Sequence, residues 1–445
     1  MGAETKTRYP ISSEREFGCD RGHTRTRCQH RGHQGWHVKQ NAVNRRLLIL
    51  PLVIALGGCE HLRELEPDEL RSVALGTAGE RRNESPGVAV ATVITRSSEA
   101  EIVVERAGVA ALADNRALSP DTAFMWFSIT KLFTATAIMQ LNERGLLDID
   151  APVRDLLGDE FAIADHRYRP VTARDLLSHS SGLGNPSVWK RAHPAGTTRA
   201  SVADLLAQLS SDHGPRLRYP PGQGQRYSNL GYLVLGRMIE VADGRDYETY
   251  VREEILDVLD MQRTGFHWEP LLDDAAIGHS RKGWFYTTLA KRVADPAVFD
   301  EPIPGWETTV PFEVEGTPYG GLIGSAEDLA RFLAAHLQQG AWEGRRILSP
   351  ASVAAMQTVQ RDHRGQPLDF GLGWHTQVID GERYFNHMGK GGGFRPEVRL
   401  WPSRRYGVVI LTNRTRYDPR PLSRTVPPLE QPDRTESPRR ETVVE

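Results

Sequence analysis

Strand-like text stands at the two ends of the body of this chain and is sparse between them. Residues 88–94 and 101–108 read as a hairpin, rich in β-branched side chains and separated by polar ones. Near the other end, runs at 371–378 and 383–386 precede a last pair, 398–400 and 407–411, joined around Trp401-Pro402. The text between the two groups is mostly helical, with an inserted lobe at about residues 150–310. A sheet needs its strands side by side. This chain must therefore close one from pieces far apart in sequence, leaving the helical insertion beside it.

At 445 residues and 39% hydrophobic content the chain can bury a large core. A net charge of −2 argues against nucleic acid as a partner. No Gly-x-Ser-x-Gly elbow, His-Glu-x-x-His pair, P-loop or dinucleotide fingerprint occurs.

The chemistry concentrates in three short strings. Ser128-Ile129-Thr130-Lys131 opens an apolar, helix-like run at 131–141. A serine hydroxyl is a poor nucleophile until a base lies within hydrogen-bond reach, and a three-residue helical spacing puts both side chains on one face. Ser128 would stand at a helix N-terminus, and burial of Lys131 would lower its pKa toward that of a base. Tyr227-Ser228-Asn229 follows the turn signal Pro220-Pro221-Gly222 and precedes an amphipathic helix ending near Gly244. It offers a phenol to share protons with Lys131, and an amide. His387-Met388-Gly389 opens the run His-Met-Gly-Lys-Gly-Gly-Gly-Phe, whose glycines allow close backbone approach. His179 and His267 have no partners at metal-ligand spacing and read as structural.

In this order the strings resemble the serine β-lactamase and penicillin-binding protein superfamily, nearest its class C β-lactamase-like branch. Thr-Ala-Arg-Asp-Leu-Leu-Ser-His-Ser-Ser-Gly-Leu at 172–183, Tyr-Ser-Asn-Leu-Gly-Tyr at 227–232, and Gly320-Gly321-Leu322 ahead of Ser325 extend the likeness, which covers about 86–413. It implies an α/β fold of the β-lactamase/transpeptidase type, an antiparallel sheet flanked by helices with an inserted, mostly helical lobe. It also implies catalysis through an acyl-serine, without cofactor or metal. Ser128 would be the nucleophile, Lys131 and Tyr227 its base, and Asn229 the residue orienting substrate and lysine. His387 and Gly389 would shape the substrate side, and the backbone N–H groups of Ser128 and Lys390 would form the oxyanion hole.

One departure bears on substrate. Penicillin-hydrolysing members carry lysine, then a hydroxyl residue, where this chain has His387 and Met388. A histidine with its ordinary pKa near 6.5 is a conditional cation, and methionine offers no hydroxyl. Free carboxylates should bind less well, with Lys390 or Arg395 as partial substitutes. Neutral esters or amides become the expected substrates, with β-lactams and D-amino-acid peptides left open. The alternative is an envelope protein that binds peptidoglycan or penicillin without turnover.

The ends suggest an address. Arg45-Arg46, an apolar run at 47–56 and Leu56-Gly57-Gly58-Cys59 read as a bacterial lipoprotein signal spanning 43–59, with Cys59 as the lipidated residue. That implies a membrane anchor facing the periplasm or the cell exterior. Residues 1–42 read as a non-native or disordered extension, despite Cys19, Cys28 and four histidines. Residues 60–85 read as a charged tether, 86–415 as the catalytic domain, and 416–445, with six prolines, as a disordered tail.

Overall fold

The computed structural model describes residues 85–415, apart from 97–98, 162–168, 185–190, 214–216, 284–287, 289 and 380. The proposed signal, Cys59, the tether up to residue 84 and the tail from 416 lie outside the described residues.

Six strands form the main sheet. The first two, β1 (Val88–Arg96) and β2 (Glu99–Ala107), come from the beginning of the described chain. The other four come from its end: β3 (His375–Ile379), β4 (Glu382–Met388), β5 (Glu397–Trp401) and β6 (Tyr406–Thr412). Their order across the sheet is β3-β4-β5-β6-β1-β2, and every adjacent pair is antiparallel. The join between the two groups is β1 with β6, in register from Val88 opposite Thr412 to Ile94 opposite Tyr406. The sheet expected from both ends of the chain is thus a single sheet.

Strand alternation gives the sheet two apolar faces. Ala89, Ala91, Val93, Val409 and Leu411 point into the large core. Val88, Val90, Tyr384, Trp401, Tyr406, Val408 and Ile410 form a smaller cluster on the opposite side. Against the large-core face lies the helix Ala326–Leu337, whose Ser325 caps its start by accepting from the Asp328 N–H.

Helix α1 (Thr130–Glu143) runs through the middle of this core and is buried from Thr130 to Leu141. A helix apolar on all sides needs neighbours on all sides. Its three threonines can be buried because each has a partner: Thr130 Oγ1 accepts the Leu322 N–H at 3.1 Å, Thr134 Oγ1 donates to Pro318 O at 2.6 Å, and Thr136 Oγ1 donates to Leu132 O at 2.9 Å. A short helix, α2 (Ala173–Leu177), starts at a capping box between Thr172 and Asp175. Helix α3 (Asn229–Asp243) packs along α1; Ser228 caps its start and Gly244 closes it in the left-handed conformation. These packed helices face the sheet across the site.

Candidate active site

Ser128 lies in a single 3₁₀ turn, Phe127–Ile129, immediately ahead of α1 rather than within it. Phe127 holds φ at +47°, the left-handed region that a bulky side chain rarely enters. Such a residue costs about 1–3 kcal/mol and persists only where its surroundings hold it. Here the Phe127 ring sits 6.2 Å from Phe312 and 6.4 Å from Phe394. Just upstream, Trp126 N–H donates to Leu322 O at 2.9 Å, and its indole Nε1 to Gly324 O at 3.1 Å. The turn is pinned from both sides, and Ser128 remains partly exposed.

Lys131, one turn on, is fully buried. Its Nζ lies 3.2 Å from Ser128 Oγ and donates to the Tyr319 carbonyl at 2.6 Å. The rings of Tyr227, Tyr232 and Tyr319 stand 4.9, 5.5 and 5.5 Å from it. No carboxylate enters this shell among the described residues, and burial drives the lysine pKa well below its ordinary value. A neutral amine at this distance can take the serine proton.

Tyr227 is half-buried with its hydroxyl turned inward, and desolvation raises its pKa, an effect only partly offset by the Ser128 hydroxyl. Its own hydroxyl has no hydrogen-bond partner. Behind it stands His179, also at positive φ (+57°), with its ring 4.4 Å from the phenol. His179 Nδ1 accepts the Ser228 N–H at 3.2 Å, and Arg226 N–H donates to the His179 carbonyl at 2.8 Å. The segment after α2 therefore sets the position of Tyr227. Asn229, the first residue of α3, is buried next to this pair.

The third string forms the end of β4 and the loop that follows. His387 is buried on the core side with its ring 6.4 Å from Tyr227, while Met388 is 43% exposed. Beyond it, Gly389 leaves no room for a side chain: a Cβ there would lie 2.3 Å from the Trp126 carbonyl oxygen. One at Gly391 would lie 2.5 Å from the Phe127 ring. The glycines seat this loop on the two residues before Ser128, bringing the backbone of Lys390 to the nucleophile turn. Lys390 itself is exposed.

The expectation of a conditional cation at 387 needs correcting. Burial, together with the charges of His375, Lys131 and His179, holds the His387 pKa well below the histidine range. Its imidazole is neutral at physiological pH.

His179, read as structural, touches the site directly, and its place within the string 172–183 was the available signal. His375, Phe370, Phe127 and Tyr319 carried no such mark. His267 does meet acids in space: its ring nitrogens and the carboxylates of Glu269 and Glu313 lie within 4.8 Å of one another. Arg199 fills that group, 3.0 Å from Glu313 and 3.1 Å from Glu248, so the acids already have a counter-charge.

Fold and site together define an α/β protein of the serine β-lactamase and penicillin-binding protein class, with a Ser-x-x-Lys pair beside an antiparallel sheet. The family model described as Beta-lactamase matches residues 76–426, and the chain belongs to that family. Penicillin-binding protein 4 of Amycolatopsis lactamdurans is 30% identical over 338 residues, 74% of this chain and 81% of that one. Further curated relatives are longer, and the chain spans 54% to 64% of three of them. Among solved structures, a class C β-lactamase superposes with a TM-score of 0.61 at 18% identity, over 82% of this chain and 97% of that one. The D-amino acid amidase of Ochrobactrum anthropi SV3 gives 0.61 at 20% identity, over 78% and 92%. At these identities the two structures speak to fold alone.

Proposed function

We propose that this serine hydrolase cleaves neutral esters or amides, D-amino-acid amides included, through an acyl-Ser128 intermediate. The observation carrying the reading is the Lys131 amine, 3.2 Å from Ser128 Oγ in a shell that holds no carboxylate among the described residues. Lys131 takes the Ser128 proton as Oγ attacks the carbonyl carbon. The backbone N–H groups of Ser128 and Lys390 receive the oxyanion, each donor being worth about 10²–10³ in rate. The proton passes to the leaving group, and Tyr227 with Lys131 then activates the water that releases the acid.

Substrate preference follows from charge. His387 is neutral and Met388 presents an exposed thioether, so neither offers a substrate carboxylate a fixed cation. Amidase activity in a structural neighbour and penicillin binding in a sequence relative fit the same acyl-serine chemistry. We further infer that Cys59 carries a lipid that holds the enzyme at the bacterial envelope, on the periplasmic or outer side.

The test compares a short-chain p-nitrophenyl ester with a chromogenic cephalosporin, using the native chain and Ser128→Ala. Ester turnover that exceeds cephalosporin turnover and vanishes in the variant is the expected result. Stoichiometric labelling without turnover would mark a binding protein instead, and fast cephalosporin hydrolysis would refute the substrate assignment.

A further inference from the structure

Five rings close a circuit around the proton-handling groups. His387 meets His375 edge-on at 5.2 Å, His375 lies 3.8 Å from Phe370, and Phe370 meets His179 edge-on at 4.7 Å. His179 lies 4.4 Å from Tyr227, which returns to His387 at 6.4 Å. The circuit joins four separate pieces of chain: the segment after α2, the turn ahead of α3, the start of β3 with its approach, and β4.

The polar atoms inside it are unusually bare. His387 Nδ1 faces the Met388 carbonyl at 3.1 Å, which places the ring proton there and leaves Nε2 as a lone-pair acceptor. That Nε2 is buried without a hydrogen-bond partner, as are His179 Nε2 and the Tyr227 hydroxyl. A single hydrogen bond to the neighbouring carbonyl is a weak hold on an imidazole, whose terminal torsion is broad. The edge of His375, which Phe370 backs, adds a contact that limits rotation of the ring.

We propose that His375, backed by Phe370, is a positioning residue: its ring edge holds the His387 imidazole in one tautomer and orientation beside Tyr227. This rests on the acyl-serine reading for its kinetic consequence but not for its structural one. The His375 ring meets His387 edge-on and packs on Phe370, so shape rather than polarity does the holding. A phenyl ring should serve, and an aliphatic side chain should not.

The groups facing His387 are His375 from β3, Lys131 from α1, His179 after α2 and Tyr227 before α3. None is acidic. Burial, with the charge of Lys131, holds the His375 pKa down at about 4. Removing its ring would admit water, and a rehydrated His387 would titrate nearer its ordinary value.

The experiment compares native protein with His375→Phe, His375→Leu and His375→Ala, after thermal melts confirm folding. Loss of an edge contact of this kind corresponds to about tenfold in rate. His375→Ala and His375→Leu should lose about that much kcat on the ester with KM nearly unchanged, and the acid limb of the pH profile should move upward. His375→Phe should keep both near native. Unchanged kcat and limb in the Ala and Leu variants, or equal damage in Phe, would overturn the proposal. If the native protein turns over no ester, the hydrolase reading falls, and imidazole nitrogen NMR still decides. A His387 Nδ1–H tautomer kept in Phe and lost in Ala supports positioning, whereas the same tautomer and titration in all four proteins refutes it.

Discussion

Two basic side chains in this molecule live under opposite rules. Arg199 is held between Glu313 and Glu248 at 3.0 and 3.1 Å, with His267 3.2 Å from Glu248. Lys131 is deeper and fully buried, with a hydroxyl, a carbonyl and three phenol rings around it and no carboxylate among the described residues. Histidines follow the same division. His267 is pushed up, chiefly by its hydrogen bond to Glu248, while His179, His375 and His387 are pushed down by burial. Where charge fastens the fold, acids and bases are matched. Where protons must move, the acids are withheld, and burial pushes the bases toward their neutral forms.

The sharpest way to break this contrast is Lys131→Met, which removes the base but keeps its bulk. Activity on the ester should fall by about 10³-fold or more, since a nucleophile and its base act as a unit. Stability should rise. The lysine pKa is lower in the folded state than in the unfolded chain, so below about pH 10 the unfolded chain binds the extra proton. The native lysine therefore costs stability as pH falls, and methionine does not. A lower melting temperature at neutral pH for the variant would refute this account of Lys131.

Arg199→Met should do the reverse. It leaves Glu313, only 2% exposed, without its main counter-charge, at a cost of about 3 kcal/mol in urea unfolding. Ester turnover per folded molecule should barely change. A large kcat loss with native-like stability would show that the network belongs to the site.

His267→Gln should have the smallest effect, below about 1 kcal/mol, because this histidine is half exposed. Its raised pKa means that its contribution is complete below about pH 6.5 and is lost as pH rises through the folded value. Melts at a series of pH values should show a flatter slope above that point in the variant.

Much of this was legible in the sequence because it is local. Ser128 and Lys131 share a helical spacing, Tyr227 follows a turn signal, and the strand text at both ends has a period of two. The ring circuit was not legible. His179 and Tyr227 are far apart in sequence, and His375 and His179 farther still, so no periodicity links them. Nor does a phenylalanine announce a left-handed φ: Phe127 is held there by Phe312, Phe394 and the glycines of the loop after β4, all remote. The neutrality of His387 is likewise a property of what surrounds it, and the letter H carries no sign of burial.

The pairing of β1 with β6 has a consequence for how the protein is made. Val88 meets Thr412, a partner synthesised more than three hundred residues later. At translation rates of about 5–20 residues per second, the first hairpin waits roughly 15 to 65 s with one edge bare. That hairpin is exposed on the ribosome longer than any other part of the sheet, and it is where a holding chaperone or an export pathway for unfolded chains has most to protect. A nascent chain arrested before Tyr406 has every residue named in the chemistry and no neighbour for β1.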